Sequence, residues 1–117
     1  MNLSNYTIKA QQTIAAAQQL AFNNNNPSIE TEHLLQALLE DKDSTVSFLL
    51  KKNNVNAAFV AAKVMEAMAK LPKVQGAEPG AQIGRDLNTA LLKANSMLAT
   101  FGDEFISPEH LLLGLLH

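Results

Sequence analysis

The sequence predicts an all-α fold in which one helical unit is used twice. Three observations carry that expectation. Apolar residues, 47% of the chain, recur at three- and four-residue intervals, and no stretch alternates with a period of two. Five Gly and four Pro are present, and Pro27, Pro72 and Pro79 fall between the periodic segments while Pro108 stands where a helix begins. The third observation is an internal repeat, described below.

Ala10, Ile14, Ala17 and Ala21 form one stripe and place a first helix over about 5–22, with glutamines on its other face and Asn23 to Asn26 ending it. A second helix begins near Glu30 and carries Leu34, Leu35, Leu38 and Leu39, before Glu40, Asp41 and Lys42 lead into a turn. Ser44 or Thr45 is placed to cap a short third helix with Val46, Leu49 and Leu50, closed by Asn53 and Asn54. Asn56 caps a fourth, bearing Phe59, Val60, Val64, Ala67, Met68 and Leu71, which Pro72 stops. A linker follows over about 73–83. The fifth helix, about 85–100, presents Leu87, Leu91, Ala94 and Leu98 and breaks at Gly102. Ser107, Pro108 and Glu109 supply a cap, a first-turn proline and an acid at the positive helix end, so a sixth helix runs from Ser107 to the chain end.

A shift of 77 residues lays Ile29 to Leu39 on Ile106 to Leu116 without a gap, with seven of eleven positions identical. The same shift pairs Ala10 with Leu87, Ile14 with Leu91, Ala17 with Ala94 and Ala21 with Leu98. Two such copies are expected to pack about a pseudo-two-fold axis with a groove between them, since neither buries its apolar faces alone. Repeat 1 covers about 1–72 and an incomplete repeat 2 about 84–117, within one domain over 1–117; counterparts of the third and fourth helices would lie beyond His117.

Composition narrows the function. A net charge of -2 offers no broad cationic field for nucleic acid or an anionic membrane. No cysteine is present, so a disulfide framework and thiolate zinc sites are excluded. The first ten residues do not read as a secretory signal, and no long apolar run spans a bilayer, so a cytoplasmic location is expected. Neither a nucleophile elbow nor a phosphate-binding Gly-rich loop ending in Lys-Ser or Lys-Thr occurs, and the chain is read as non-catalytic. Neither His33 nor His110 has a second ligand at helical spacing, so no metal site is assigned; each is expected to bond a backbone carbonyl and hold the turn before its helix.

The duplicated Ile-x-x-Glu-His-Leu-Leu motif, Tyr6 to Ala10, Lys70 to Gly76 and Gly102 to Ser107 together resemble the Clp N-terminal repeat domain. The linker and the Gly-Asp-x-Phe-Ile-Ser stretch look most like the ClpB-type disaggregase branch. The resemblance implies an eight-helix domain tethered ahead of two ATPase rings, of which this chain supplies six helices. It implies a substrate-binding module that captures exposed hydrophobic segments of misfolded or aggregated proteins for a hexameric parent. ATP and magnesium are then needed only in the ATPase domains. The alternative is a module that docks an adaptor or regulates the ATPase.

On this resemblance Ile8, Leu87, Leu91 and Leu111 are candidates for the apolar floor of the groove, against the alternative that they are core. Thr7, Asp103 and Glu109 are candidates for its rim, against helix capping. Glu32 and Glu109, equivalent by the repeat, are candidates for binding a cationic group such as guanidinium.

Overall fold

The computed structural model describes residues 3–41, 45–75, 79 and 82–116. Helix α1, Ile8–Asn23, starts where the Thr7 hydroxyl accepts the Ala10 amide at 3.1 Å. The expected helix begins three residues earlier, but Asn5 and Thr7 are taken by backbone pairing: the Ile106 amide donates to the Asn5 carbonyl and the Thr7 amide to the Ile106 carbonyl, both at 2.8 Å. Ala10, Ile14, Ala17 and Ala21 are buried, and the three alanines let a neighbouring helix lie close. Asn25, at φ 56, turns the chain out of the helix in the left-handed region that asparagine tolerates.

Strand β1 is Ser28–Ile29, followed by α2, Thr31–Glu40, which packs against α1. Short α3, Thr45–Lys52, buries Val46; Ser44, the other expected cap, lies outside the described residues, as do Gly76 and Gly80 of the linker. Helix α4, Ala57–Ala69, is capped by the Asn56 side-chain oxygen Oδ1, which accepts the Phe59 amide at 3.1 Å. It ends two residues short of the expected Leu71, where Pro72 removes the next donor. Strand β2, Gln82–Ile83, leads into α5, Arg85–Phe101, which Gly102 ends at φ 69; α6 is Pro108–Leu116.

The pseudo-two-fold expected from the repeat is present in the backbone itself. Ile29 pairs in parallel with Ile83, and Tyr6 with Ile106. The 77-residue shift takes Tyr6 to Ile83 and, reversed, takes Ile106 to Ile29, so the two bridges exchange. An operation that swaps the copies in both directions is a two-fold rotation. Each repeat lends the segment before its first long helix to the segment before its partner's second, which ties the copies together across the axis.

One core runs through both copies, including Leu34, Leu38, Leu87, Leu91, Ile106 and Leu111. A second cluster of Leu39, Val64 and Met68 exists because α4 covers α2. In repeat 2 no described element takes the place of α3 and α4. Leu39 is therefore 7% exposed while its equivalent Leu116 is 72% exposed.

Gly114 sets the approach of α6 to α5, because a Cβ there would overlap the Ala90 carbonyl and press Ala94 at 3.2 Å. Alanine is favoured over glycine in a helix by about 1 kcal/mol, but overpacking against fixed backbone costs about 1–3 kcal/mol. Gly114→Ala is therefore expected to destabilise the domain on balance in urea denaturation. An increase in stability would show that α5 and α6 part freely.

Candidate functional site

A groove of about 1000 Å³ lies between α1 and α5. Its walls obey the repeat. Gln11, Ile14, Ala15 and Gln18 on α1 are matched, at the 77-residue shift, by Asn88, Leu91, Leu92 and Asn95 on α5, and Asn5 and Tyr6 by Gln82 and Ile83. The groove thus sits on the pseudo-two-fold axis. Buried Tyr6, Ile14, Ile29 and Leu91 form its floor, and exposed Leu92 and Ala15 stand on facing rims.

Every polar lining residue other than Tyr6 is a carboxamide, and none carries a formal charge. Burial raises the Tyr6 hydroxyl above its ordinary pKa of 10.0, so it too is neutral. The Gln11 amide nitrogen donates to the Tyr6 carbonyl at 3.1 Å, and Asn5 donates to the Asn95 carbonyl oxygen at 2.8 Å, closing one end of the groove.

Two equivalent histidine turns hold the elements beneath this groove. The Glu30 amide donates to His33 Nδ1 at 2.8 Å and the Ser107 amide to His110 Nδ1 at 2.9 Å. With Nδ1 accepting, Nε2 carries the proton and donates to Asn26 Oδ1 at 2.8 Å in one copy and to Asp103 Oδ2 at 3.0 Å in the other. Asn26 in turn donates to the Pro72 carbonyl at 2.9 Å and fastens the end of repeat 1. The expectation that the histidines bond a carbonyl is corrected: each ring accepts an amide, which the capping-box geometry of a helix start presents. At Gly84, the equivalent of Thr7, the Glu30 carboxylate occupies the place of a side chain.

The family model described as the Clp repeat (R) N-terminal domain matches residues 5–117. The chain belongs to this family. Among relatives of this Clp N-terminal domain, the chaperone protein ClpB of Bacteroides thetaiotaomicron is 36% identical over 116 residues, 99% of this chain and 13% of that protein. Chaperone protein ClpB 2 of Nostoc is 38% identical over 112 residues, 96% of this chain and 13% of that protein. The chain therefore spans about an eighth of these relatives, the part that is their N-terminal domain. The Hsp104 N-terminal domain from Candida albicans shares the fold with a TM-score of 0.88 at 22% identity, covering 97% of this chain and 75% of that one. A ClpV N-domain solved with a VipB peptide does so with a TM-score of 0.78 at 20% identity, covering 99% and 72%.

Of the floor candidates, the groove of this Clp domain takes Leu91 alone. Leu87 and Leu111 belong to the core, 3% and 1% exposed, on helix faces that meet neighbouring helices instead of the groove. Ile8 is 74% exposed and lies outside the groove lining, since the first turn of α1 points it to solvent. The rim candidates sit at helix ends: Thr7 caps α1, Asp103 accepts from His110, and Glu109 accepts the Ser107 hydroxyl at 2.8 Å, all outside the groove lining. Glu32 accepts the Thr31 hydroxyl at 3.0 Å and borders a second groove of about 350 Å³ with Leu35, Phe59, Lys63 and Leu115.

The carboxamides were the residues missed. Gln11 and Gln18 belong to the glutamines placed opposite the apolar stripe of α1, and the signal that exposes them is the repeat: the shift that pairs the apolar stripes also pairs Gln11 with Asn88 and Gln18 with Asn95. Among the described residues no group of three or more His, Cys, Asp or Glu is placed to hold a metal ion, and no helix is long and apolar enough to cross a membrane.

Proposed function

We propose that this domain docks exposed hydrophobic segments of unfolded or aggregated proteins in the groove between α1 and α5, as the recruiting part of a ClpB-type disaggregase. The observation that carries this reading is an apolar floor bordered only by uncharged hydrogen-bonding groups. Such a trough rewards apolar burial and backbone pairing while making no demand on sequence. The ClpV N-domain complex with a VipB peptide supports peptide docking on this fold. On this reading the domain is non-catalytic and acts in the cytoplasm, and ATP and magnesium belong to ATPase domains of a hexameric parent. Nucleic acid and membranes are not its partners, in keeping with a net charge of -2.

Titrating the isotope-labelled domain with a reduced, alkylated unfolded protein is expected to shift the amide signals of Ile14, Ala15, Leu91 and Leu92. The double variant Ala15→Asp with Leu92→Asp places charges on two exposed rims and leaves the core intact. It is expected to weaken binding at least about tenfold, because a carboxylate must lose water when an apolar segment docks. Undiminished binding by that variant would overturn the reading.

A second reading, docking of a folded adaptor, is favoured by the groove between α2 and α4. There Phe59, 61% exposed, lines the groove with Glu32 and with Lys63, whose ammonium lies 5.7 Å from its ring centre. Its signature is one saturable stoichiometric complex whose shifts fall on Leu35 and Phe59 and spare Ile14.

A further inference from the structure

The groove straddles a two-fold axis, and a peptide does not share that symmetry. An extended segment lying across the axis is carried by the rotation into a second pose, in the same groove, with its N-to-C direction reversed. In the second pose Gln11 exchanges with Asn88, Ile14 with Leu91, Ala15 with Leu92, Gln18 with Asn95, Asn5 with Gln82 and Tyr6 with Ile83, while Leu3 and Ile29 have no counterpart among the described lining residues. Five of these six exchanges keep the chemical class of the side chain: three replace carboxamide by carboxamide and two replace aliphatic by aliphatic, while the sixth sets Tyr6 against Ile83.

Direction is ordinarily read by a group that distinguishes an N–H from a C=O, or one terminus from the other. The groove lacks the strongest such readers. No formal charge lines it to select an ammonium or a carboxylate. Apart from the Tyr6 hydroxyl, which both donates and accepts, its polar groups are carboxamides, which carry a donor and an acceptor side by side and pair with a peptide group in either sense. Carboxamides already bonded within the chain, such as Gln11 through its nitrogen, retain acceptor capacity on the oxygen.

We propose that the groove binds uncharged extended segments in both chain directions, with populations within about tenfold of each other. This rests on the docking reading above and specifies its ligand: a neutral apolar stretch, entered from either end. The discriminators left are Tyr6 against Ile83, the unmatched Leu3 and Ile29, and on the exposed rims the pair Ala15 and Leu92, which differ by three carbons. A recruiting domain with this property engages a tangled segment without first finding its terminus.

The test uses the labelled chain with a blocked ten-residue peptide of Leu, Ala and Ser bearing a nitroxide at its N-terminus, and a second bearing it at the C-terminus. One end of the groove is reported by Asn5 and Asn95, which are bonded to each other, and the other by their equivalents Gln82 and Gln18. Each tag is expected to broaden signals at both ends. Leu92→Ala, which makes the rim pair identical at an exposed site, is expected to move the two populations toward equality. An N-terminal tag that broadens one end only, with the C-terminal tag broadening only the other, overturns the proposal and leaves the docking reading standing. Failure of the untagged peptide to shift Ile14 and Leu91 at saturating concentration overturns both.

Discussion

His33→Ala is expected to destabilise the domain by about 3–5 kcal/mol, a large part of the stability of a domain this size. The side chain is fully buried and joins three segments: its Nδ1 accepts the Glu30 amide, and its Nε2 donates to Asn26, which holds the Pro72 carbonyl. Truncation leaves the Asn26 oxygen, in a residue 1% exposed, without its donor, frees the first amide of the turn and opens a cavity. His110→Ala removes the equivalent bonds but is expected to cost less, since Asp103 is 49% exposed and water replaces the lost donor. Urea denaturation of the two variants tests the ranking, and equal losses would show that burial of the partner does not decide the cost.

The same ring gives stability a pH dependence. Burial holds the His33 pKa below its ordinary 6.5, with nearby Glu32 opposing, and protonation would set a ring donor against the Glu30 amide. As pH falls through 6.5 the unfolded chain takes up the proton first, so stability drops from there down to the lowered folded value. Glu30 acts in the other direction. Burial, then Glu32 and Asp86, raise its pKa above 4.5, so the folded state is protonated first and stability is gained as pH falls from that raised value to 4.5. The decline just below neutrality is expected to be shallower in His33→Ala than in the native chain.

The helices were readable because their ends carry local chemistry. Gly102 at positive φ and the Ser107-Pro108-Glu109 start act within one turn, and the structure places α5 and α6 within a residue of expectation. The strands were not readable, since Ser28–Ile29 and Gln82–Ile83 are two residues each and show no periodicity. Pairing of the Asn5 to Thr7 backbone with distant Ile106 likewise explains why α1 starts at Ile8. The groove was readable as a consequence of duplication but not in its lining. Leu87 and Leu91 lie on one stripe of α5, so periodicity does not separate them, yet Leu91 reaches the groove while Leu87 stays in the core.

Leu34→Ala and Leu111→Ala are each expected to cost about 2–5 kcal/mol, the range for emptying a close-packed leucine site. Both side chains are 1% exposed, and they are equivalent by the repeat. Their surroundings are not equivalent. The helix bearing Leu34 is backed by α4 and the second cluster around Leu39, Val64 and Met68, whereas the helix bearing Leu111 has no such cover among the described residues and leaves Leu116 exposed. A site on a helix with less cover on its outer face collapses more readily around a deletion, so Leu111→Ala falls toward the low end of the range and Leu34→Ala toward the high end. Denaturation curves rank the two, and peptide titration of the same variants separates core from groove. With Leu111 in the core, the alanine variant loses stability while the folded fraction binds as tightly as the native chain. Unchanged stability with lost binding would move Leu111 into the groove wall and require α6, not α5, to form the floor.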